Sequence, residues 1–600
     1  MSLARSVFLR RWTAPALVAL ATLSTLFAAG LTFRRATTPW ARLPDFDYWA
    51  NISGVISENG VRLGLTTLLQ HNNEHIVLIP KLIYAANYLV TSGSNIGLIT
   101  YSIFIGALCS TLLLILAKDL LIDTPLRFAL CALLFPLLMF STKLTHSYFM
   151  GMSGTIWLTA DLFVIISAAA LTRAVTTANS IWLLISIGAA LLGVLSYSTA
   201  VFSLLVLLLS SLSFVVVPRL RGVVSRPLAI ASIVIVASVL LIGLVYGAHP
   251  KNHPALEFNP GRLFTFVLIY IGSSLPTGRH MQNAAVAGIA ILAAGIGAII
   301  RLVAQGRTKE VLTWIILFWY APFNALMTGI GRLGFGMGAA ASSRYQSVTA
   351  LTVIAAITLI LAALPRGATS RSWAIARGVF MSALVVAAPL IILDPTNLRS
   401  YSARNQKKVI AEIALNLGIE GDQHIKAATP AIDQLDKLIP ILRAAHHVPF
   451  DRGLHCEEML GDDIPETAAA PAGALESVSV YEMSHGAGPA IEVSGWAERD
   501  GATAKCIAVL DGARRVIGLG ASITERFDRG GKGGRSPGLA GWTAVAHYPQ
   551  SLPVCAVALF ANVPGWIPLS DCEKAMGNSG GAPLNPATDL PIDGPYTKSH

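Results

Sequence analysis

The 600-residue chain is 54% hydrophobic and only 13% charged, and its mean hydropathy is +0.61. Charged residues make up about a quarter of an ordinary soluble domain, so the composition excludes a soluble protein and indicates a polytopic helical membrane protein in a lipid bilayer. The net charge of +11 lies mostly in short loops between apolar segments. That distribution reflects membrane topology and argues against a nucleic-acid partner.

Eleven apolar segments are long enough to cross a bilayer, which takes about 20 residues each. They cover residues 13–33, 97–117, 126–141, 154–171, 180–197, 199–217, 229–247, 284–302, 311–329, 348–364 and 376–393. Two shorter apolar pieces, 76–90 and 263–274, are predicted to be helices that lie at the outer interface or re-enter it.

Basic residues predict the orientation of these segments. Fifteen Lys or Arg fall in residues 1–12, 118–127, 172–179, 218–227, 301–310 and 365–377, against eleven in the alternate, longer loops. Because cytoplasmic loops are enriched in Lys and Arg, the asymmetry predicts a cytoplasmic N-terminus and an extracytoplasmic C-terminus. Arg34 and Arg35, just after the first segment, oppose this orientation.

The chain changes character after the last apolar segment, where strand-like pieces alternate with turn residues. We therefore divide it into a transmembrane domain at 1–393, with its first outer loop at 34–95, and three later parts. These are a helical connector at 394–450, an exported, periplasmic β-rich domain at 451–576, predicted to be a small sandwich, and a tail at 577–600, predicted to be disordered.

Four of the six cysteines fall in the exported region. An even number in an oxidising compartment predicts two disulfides. Of three possible connectivities we favour Cys506 with Cys555 and Cys456 with Cys572, because two of the cysteines lie in predicted strands. Four free buried thiols are the alternative.

Two acidic residues, Asp45 and Asp47, follow the first apolar segment with D-x-D spacing. In an extended segment both side chains face the same side, so both could reach one site. One carboxylate could act as a general base towards a sugar hydroxyl, and the pair could hold a divalent cation such as Mg²⁺ or Mn²⁺. A helix-capping role for either Asp is the alternative.

Further polar residues accompany the outer loops. Glu74 and His75, directly before an apolar helix, could bind a hydroxyl-rich acceptor or a phosphate, or could cap that helix. Basic residues in later outer loops suit phosphate recognition, with interfacial anchoring as the alternative. The full set of candidate binding residues is Glu74, His75, Lys143, His146, Arg279, His280, Arg332, Arg344 and Tyr345. Asp161, within a predicted span, is functional, is paired with a buried polar group, or lies nearer a helix end than the predicted span places it.

These motifs and their order resemble the GT-C superfamily of integral membrane glycosyltransferases. The resemblance rests on the acidic D-F-D motif in a long first outer loop, the Glu74–His75 pair, the R-x-G-x-G that starts at Arg332, and the S-R-Y at 343–345. It implies a GT-C-like transmembrane fold, a polyprenyl-phosphate sugar donor, inversion by single displacement, and a catalytic Asp in the first outer loop. By this resemblance Asp45 or Asp47 is the base, and Arg332 and Arg344 are candidates for the donor phosphate.

One departure from the family pattern and one further similarity accompany the resemblance. The D-F-D spacing differs from the adjacent acidic pair of many relatives, which leaves open the choice of base and the need for a metal. The C-terminal domain resembles accessory carbohydrate-binding β domains, where Trp496, Trp542 and Trp566 are either aromatic platforms or core residues.

The expected activity is therefore transfer of a hexose or pentose to a cell-envelope glycan or glycoconjugate, as in polysaccharide biosynthesis, at the outer face of a bacterial cytoplasmic membrane. The chain contains no G-x-x-x-x-G-K-[ST] nucleotide motif, in agreement with a lipid-linked donor. Two alternatives remain: a transporter or flippase of a lipid-linked glycan, which should show internal repeats, and a membrane acyltransferase, which the Arg279–His280 pair would suit.

Overall fold

The computed structural model describes the chain in fourteen stretches. These are residues 2–37, 42–58, 60–72, 75–121, 123–217, 224–246, 255–275, 280–365, 396–429, 432–451, 460–465, 469–524, 540–550 and 553–569. The predicted span at 376–393 and the predicted tail at 577–600 lie outside the described residues.

Long apolar helices dominate the first 365 residues. The helices described there, long and short, are α1 (Ser2–Ala36), α2 (Tyr48–Ser53), α3 (Leu65–Leu69), α4 (Leu78–Thr91), α5 (Asn95–Leu121), α6 (Pro125–Met139), α7 (Thr145–Phe149), α8 (Gly151–Thr177), α9 (Ser180–Val194), α10 (Val201–Val216), α11 (Arg226–Tyr246), α12 (Pro260–Gly272), α13 (Met281–Ala304), α14 (Thr308–Arg332) and α15 (Gln346–Ala363). Two short hairpins, β1 (Ile56–Ser57) with β2 (Gly60–Val61) and β3 (His71–Asn72) with β4 (His75–Ile76), interrupt the first loop.

Within the described residues, nine helical segments are long and apolar enough to span a membrane. They are formed by α1, α5, α6 with α7, α8, α10, α11, α13, α14 and α15. A polytopic helical membrane protein is thereby confirmed. Eleven spans remain a prediction, because α9 is a shorter helix of 15 residues and 376–393 is not described. The predicted interfacial helices correspond to α4 and to the 13-residue α12.

The bundle has central and peripheral helices. In an 18-residue stretch of the spanning segment that contains α15, 94% of the residues are buried. In the corresponding stretches of α1 and α11 only 17% are buried, and these helices present Leu, Val and Ile side chains outward. Such apolar surfaces match the hydrocarbon of a bilayer. The helices α8 and α15 therefore lie inside the bundle. Each of them holds the loop that directly precedes it in a fixed position.

The predicted outer loops gather at one end of the bundle, which we call the site end. There the Asn95 N–H donates to the Arg42 carbonyl at 2.8 Å, and the Ile79 N–H donates to the Leu195 carbonyl at 3.1 Å. At the opposite end the Arg127 guanidinium binds the carbonyl of Leu364 at 3.0 Å, and Arg307 binds that of Ala362 at 3.0 Å. These bonds satisfy the last carbonyls of α15.

The connector and the β-rich region follow the bundle. The connector forms α16 (Thr396–Leu417), α17 (Asp422–Ala428) and α18 (Ile432–Ala444). Seven antiparallel strands come next: β5 (Gly473–Glu482), β6 (Pro489–Arg499), β7 (Ala502–Leu510), β8 (Val516–Thr524), β9 (Gly541–His547), β10 (Cys555–Phe560) and β11 (Trp566–Pro568). The described strands form one sheet in the order β11-β10-β7-β8-β9-β6-β5, with a further β6–β7 pairing at their hairpin. The β-rich region is therefore shown, whereas a two-sheet sandwich remains a prediction.

The strand register contradicts the favoured disulfide pairing. Cys506 lies opposite Leu559, and Cys555 lies opposite Leu510. The two cysteines are therefore four residues apart along the paired strands, about 13 Å at the rise of an antiparallel strand, and a disulfide requires Cα atoms within about 7 Å. Both cysteines are disulfide-bonded, so they belong to different disulfides. Cys456 and Cys572 lie outside the described residues.

The aromatic residues of the sheet divide between core and surface. Trp542 is 1% exposed and belongs to the hydrophobic core on one face of the sheet. It is therefore a core residue rather than an accessible platform. Trp496 and Trp566 are half-buried.

Candidate functional site

The loop at 34–95, predicted to be the first outer loop, is a packed cap on the site end. Tyr48 and Trp49 of α2 are buried, and the Trp49 indole donates to the Pro44 carbonyl at 3.1 Å. The Lys81 ammonium, from α4, donates to the carbonyls of Thr67 at 2.9 Å and Gln70 at 2.7 Å. The loop therefore has a defined structure that can orient its acidic residues.

Asp45 belongs to a buried ion pair. It is 1% exposed, and its Oδ2 lies 3.3 Å from the Lys408 Nζ and 3.5 Å from the Arg404 Nε, both on α16. The Lys408 side chain is itself fully buried. Loss of either partner would destabilise the structure, because it would leave an uncompensated charge in a buried position.

Asp47 has a different environment, half-buried at the start of α2. Its carboxylate hydrogen-bonds to the Asn72 side chain and interacts with the charges of Arg344, Arg332 and His75. Burial raises the pKa of Asp47 above its usual value, whereas Arg344, the Asn72 hydrogen bond, Arg332 and His75 each lower it. Although Asp47 occupies the N-cap position of α2, its side chain does not cap the helix.

The two carboxylates thus have different partners, contrary to the expectation that both reach one site. The backbone explains this difference, because Phe46 between them has φ of +54°. An extended segment would direct both side chains to one side, but a left-handed residue breaks that alternation. Among the described residues, no group of three or more His, Cys, Asp or Glu is placed to hold a metal ion. Because Lys408 and Arg404 hold Asp45 whereas Asp47 bonds to Asn72, the two carboxylates do not form a shared cation site.

His75 joins the loop to the bundle. Its Nδ1 lies 2.7 Å from the Ser198 hydroxyl, and its ring packs against Tyr197 at 4.2 Å between centroids. It lies in β4, and the N-cap of α4 is Val77 without a side-chain cap, so His75 is not a helix cap. Glu74 lies outside the described residues.

A row of aromatic rings extends from His75 towards Tyr345. Tyr197 packs against Trp157 at 4.5 Å, Trp157 meets Tyr345 edge-on at 5.6 Å, and Tyr345 stacks on Tyr270 at 5.0 Å between centroids. Trp157, Tyr270 and Tyr345 are buried. The row therefore fixes the position of Arg344, the residue next to Tyr345, relative to His75.

Arg332 and Arg344 flank the loop between α14 and α15. Both are half-buried, and the Arg344 Nε donates to the Ser342 hydroxyl at 3.1 Å. Gly336 in the same loop has φ of +101°, a conformation that favours glycine. The positive charges of these two guanidinium groups lower the pKa of the Asp47 carboxyl, although both residues lie nearly 300 residues away in sequence.

The other predicted residues occupy several environments. The His146 Nδ1 lies 3.0 Å from the Ser153 hydroxyl, and its ring lies 6.1 Å from that of Phe46. Lys143 lies in the preceding turn at 142–144, which contacts the 343–345 turn and α16. His280, the residue before α13, is exposed. Among the described residues, it is not one of the charged groups that shift the pKa of Asp47. Arg279 lies outside the described residues.

Asp161 is fully buried in α8, where it accepts a 3.0 Å hydrogen bond from the Tyr320 hydroxyl. This hydrogen bond agrees with the expectation that Asp161 is paired with a buried polar group.

Sequence reasoning missed Arg404, Lys408 and Asn72. The first two are separated by four residues in the connector, and Glu412 follows four residues later. That spacing places all three on one helix face, a signal that was available in the sequence. Asn72 carried no comparable signal.

Comparison with protein-family models, curated proteins and solved structures finds no match to this chain.

Proposed function

We propose that the protein is a membrane glycosyltransferase that moves a sugar from a polyprenyl-phosphate donor to a glycan or glycoconjugate acceptor. The observation that carries this proposal is the convergence of Asp47 with Arg332 and Arg344 at the site end. The Asp47 carboxylate, which can accept a proton, interacts electrostatically with two guanidinium groups that can bind a phosphate. The proposal also rests on the resemblance of the sequence motifs to GT-C enzymes.

In the proposed reaction Asp47 is the general base. It takes the proton of an acceptor hydroxyl while that oxygen forms a bond to the anomeric carbon of the sugar. The bond between this carbon and the phosphate oxygen breaks, and the electron pair leaves with the lipid phosphate. Arg332 and Arg344 stabilise the charge that develops on the phosphate. Attack from the opposite side inverts the anomeric configuration.

The proposed location is a bacterial cytoplasmic membrane, with the N-terminus in the cytoplasm and the site end and β-rich domain outside. The excess of Lys and Arg in the opposite loops supports this orientation. A lipid-linked donor would reach the site from the outer leaflet, and the apolar helices would contact its hydrocarbon chain.

The test is transfer of radiolabelled sugar from a panel of polyprenyl-phosphate donors in membranes that contain the full chain. We expect Arg344→Gln to lower kcat/KM for the donor by about 10-fold to 100-fold, the range for a lost hydrogen bond to a charged group. Arg173→Gln is the matched control, because Arg173 is an exposed residue paired with Asp119 at the opposite end. Transfer by the wild type with no donor of the panel would contradict the proposal and favour the transporter or acyltransferase alternatives.

A further inference from the structure

The connector helix α16 presents a charged face to the first outer loop. Arg404 and Lys408 contact Asp45, and Glu412, one turn further, lies 3.4 Å from the Arg42 guanidinium. The Lys408 ammonium also donates to the Leu43 carbonyl at 3.2 Å. Three residues of one helix therefore bind the short loop segment that leads to Asp47.

Phe46, between the two aspartates, is held in an unfavourable backbone conformation. Its φ of +54° is rare for a residue with a bulky side chain. Its N–H donates to the Ala428 carbonyl of α17 at 2.9 Å, and the Arg404 guanidinium lies 3.6 Å from the centre of its ring. Such a conformation persists only where surrounding contacts impose it, and here the connector supplies them.

The same helix is anchored on its other side by the β-rich region. Val409, Ile410 and Ile413 of α16 are buried in one hydrophobic cluster with residues of β7, β8, β9 and β10. Ala411, on the opposite side, belongs to the core of the bundle. The position of α16, and so of its charged face, is therefore fixed from both sides.

We propose that Arg404 and Lys408 are positioning residues: by holding Asp45 and Phe46 they direct the Asp47 carboxylate towards Asn72 and Arg344. Without them, Phe46 would relax to a favourable backbone conformation and Asp47 would leave its partners. The catalytic consequence rests on the proposed function, but the positioning itself does not.

The experiment compares Lys408→Met with Lys407→Met, a matched control at the next residue of α16, which is exposed. Because Lys408→Met alone leaves Asp45 without its buried partner, the double variant Asp45→Asn with Lys408→Met is included to restore neutrality. One readout is the rate at which a water-soluble carbodiimide modifies Asp47 in the solubilised full-length protein, measured by peptide mass spectrometry. The second is kcat and donor KM for sugar transfer.

We expect both Lys408 variants to change the rate of Asp47 modification and to lower kcat between about 10-fold and about 100-fold, as misplaced catalytic groups do. Donor KM should stay near the wild-type value, and Lys407→Met should change neither readout. A double variant with wild-type abundance, Asp47 modification and kcat would overturn the proposal and leave the ion pair a purely stabilising role. A changed modification rate in a protein that transfers no sugar would support positioning while it contradicts the proposed function.

Discussion

The charge of Asp47 depends on opposing effects at the level of single residues. Burial favours the neutral acid, whereas Arg344, the Asn72 hydrogen bond, Arg332 and His75 favour the carboxylate. A base must be ionised in order to accept a proton. The cations that we assign to the donor phosphate therefore also keep the base in its active form.

A pH profile tests this coupling. The acidic limb of kcat/KM should reflect the pKa of Asp47 in the free enzyme. Because the Arg344 charge lowers that pKa, Arg344→Gln should raise it and move the acidic limb to higher pH. Arg173→Gln, which removes the same charge at the opposite end, should leave the limb in place. An unmoved limb in Arg344→Gln would exclude Asp47 as the titrating group.

The sequence revealed only part of the environment of the two aspartates. The D-x-D spacing identified the acidic segment, but alternation in an extended chain could not reveal that Phe46 is left-handed. The Asp45 partner was also hidden, because Lys408 lies 363 residues away in sequence. Long-range ion pairs of this kind follow from tertiary packing, which composition and spacing do not encode.

At the scale of helices, α12 is placed by unusually close backbone packing. A Cβ atom added at Gly288 of α13 would lie 2.1 Å from the Leu268 carbonyl oxygen, and one added at Gly272 would lie 1.8 Å from that of Ala284. This packing carries Tyr270, which stacks on Tyr345 beside Arg344. The contact between α12 and α13 therefore supports the basic side of the site.

A comparison of two glycine substitutions should separate the effect of close backbone packing from the effect of helix propensity. Gly288→Ala should destabilise the protein by about 1 to 3 kcal/mol, because the added methyl group overpacks a backbone contact. Gly297→Ala on the same helix has no atom within 4 Å of the new Cβ and should be neutral or slightly stabilising. Thermal unfolding in detergent measures both. Equal unfolding temperatures for the two variants would contradict the close contact.

Element prediction worked best where apolar length decides the structure. Long apolar runs identified the spanning helices, because a bilayer imposes a minimum length. The strand register was not predictable, since registers that differ by two residues bury the same alternating set of side chains. The disulfide pairing of Cys506 and Cys555 depended on that register, and it was wrong.

For the whole molecule, the junction of loop, connector and sheet contains a titrating group. Burial raises the pKa of Glu412 from its ordinary value of 4.5 to about 7. Arg42 and Lys408 lower that pKa, and Asp451 raises it. Since the folded protein binds the Glu412 proton more tightly than the unfolded chain, the resulting stabilisation is complete below pH 4.5 and is lost as the pH rises through about 7.

Glu412→Gln should remove this dependence. The unfolding temperature of the variant, relative to the wild type, should rise between about pH 5 and about pH 8. Glu310→Gln is the control, because Glu310 is an exposed residue that pairs with Arg307 at the opposite end. A constant difference across the pH range would show that Glu412 does not titrate at this junction.

The central claim for the whole molecule is that Asp47, and not Asp45, is the base of a sugar-transfer reaction. The most direct measurement is the transfer rate per folded molecule of Asp47→Asn, with abundance and unfolding temperature checked against the wild type. Asp119→Asn, an exposed residue at the opposite end, is the control. We expect Asp47→Asn to lose about 100-fold to 10,000-fold in kcat at unchanged abundance. Wild-type transfer by a folded Asp47→Asn protein would contradict the account.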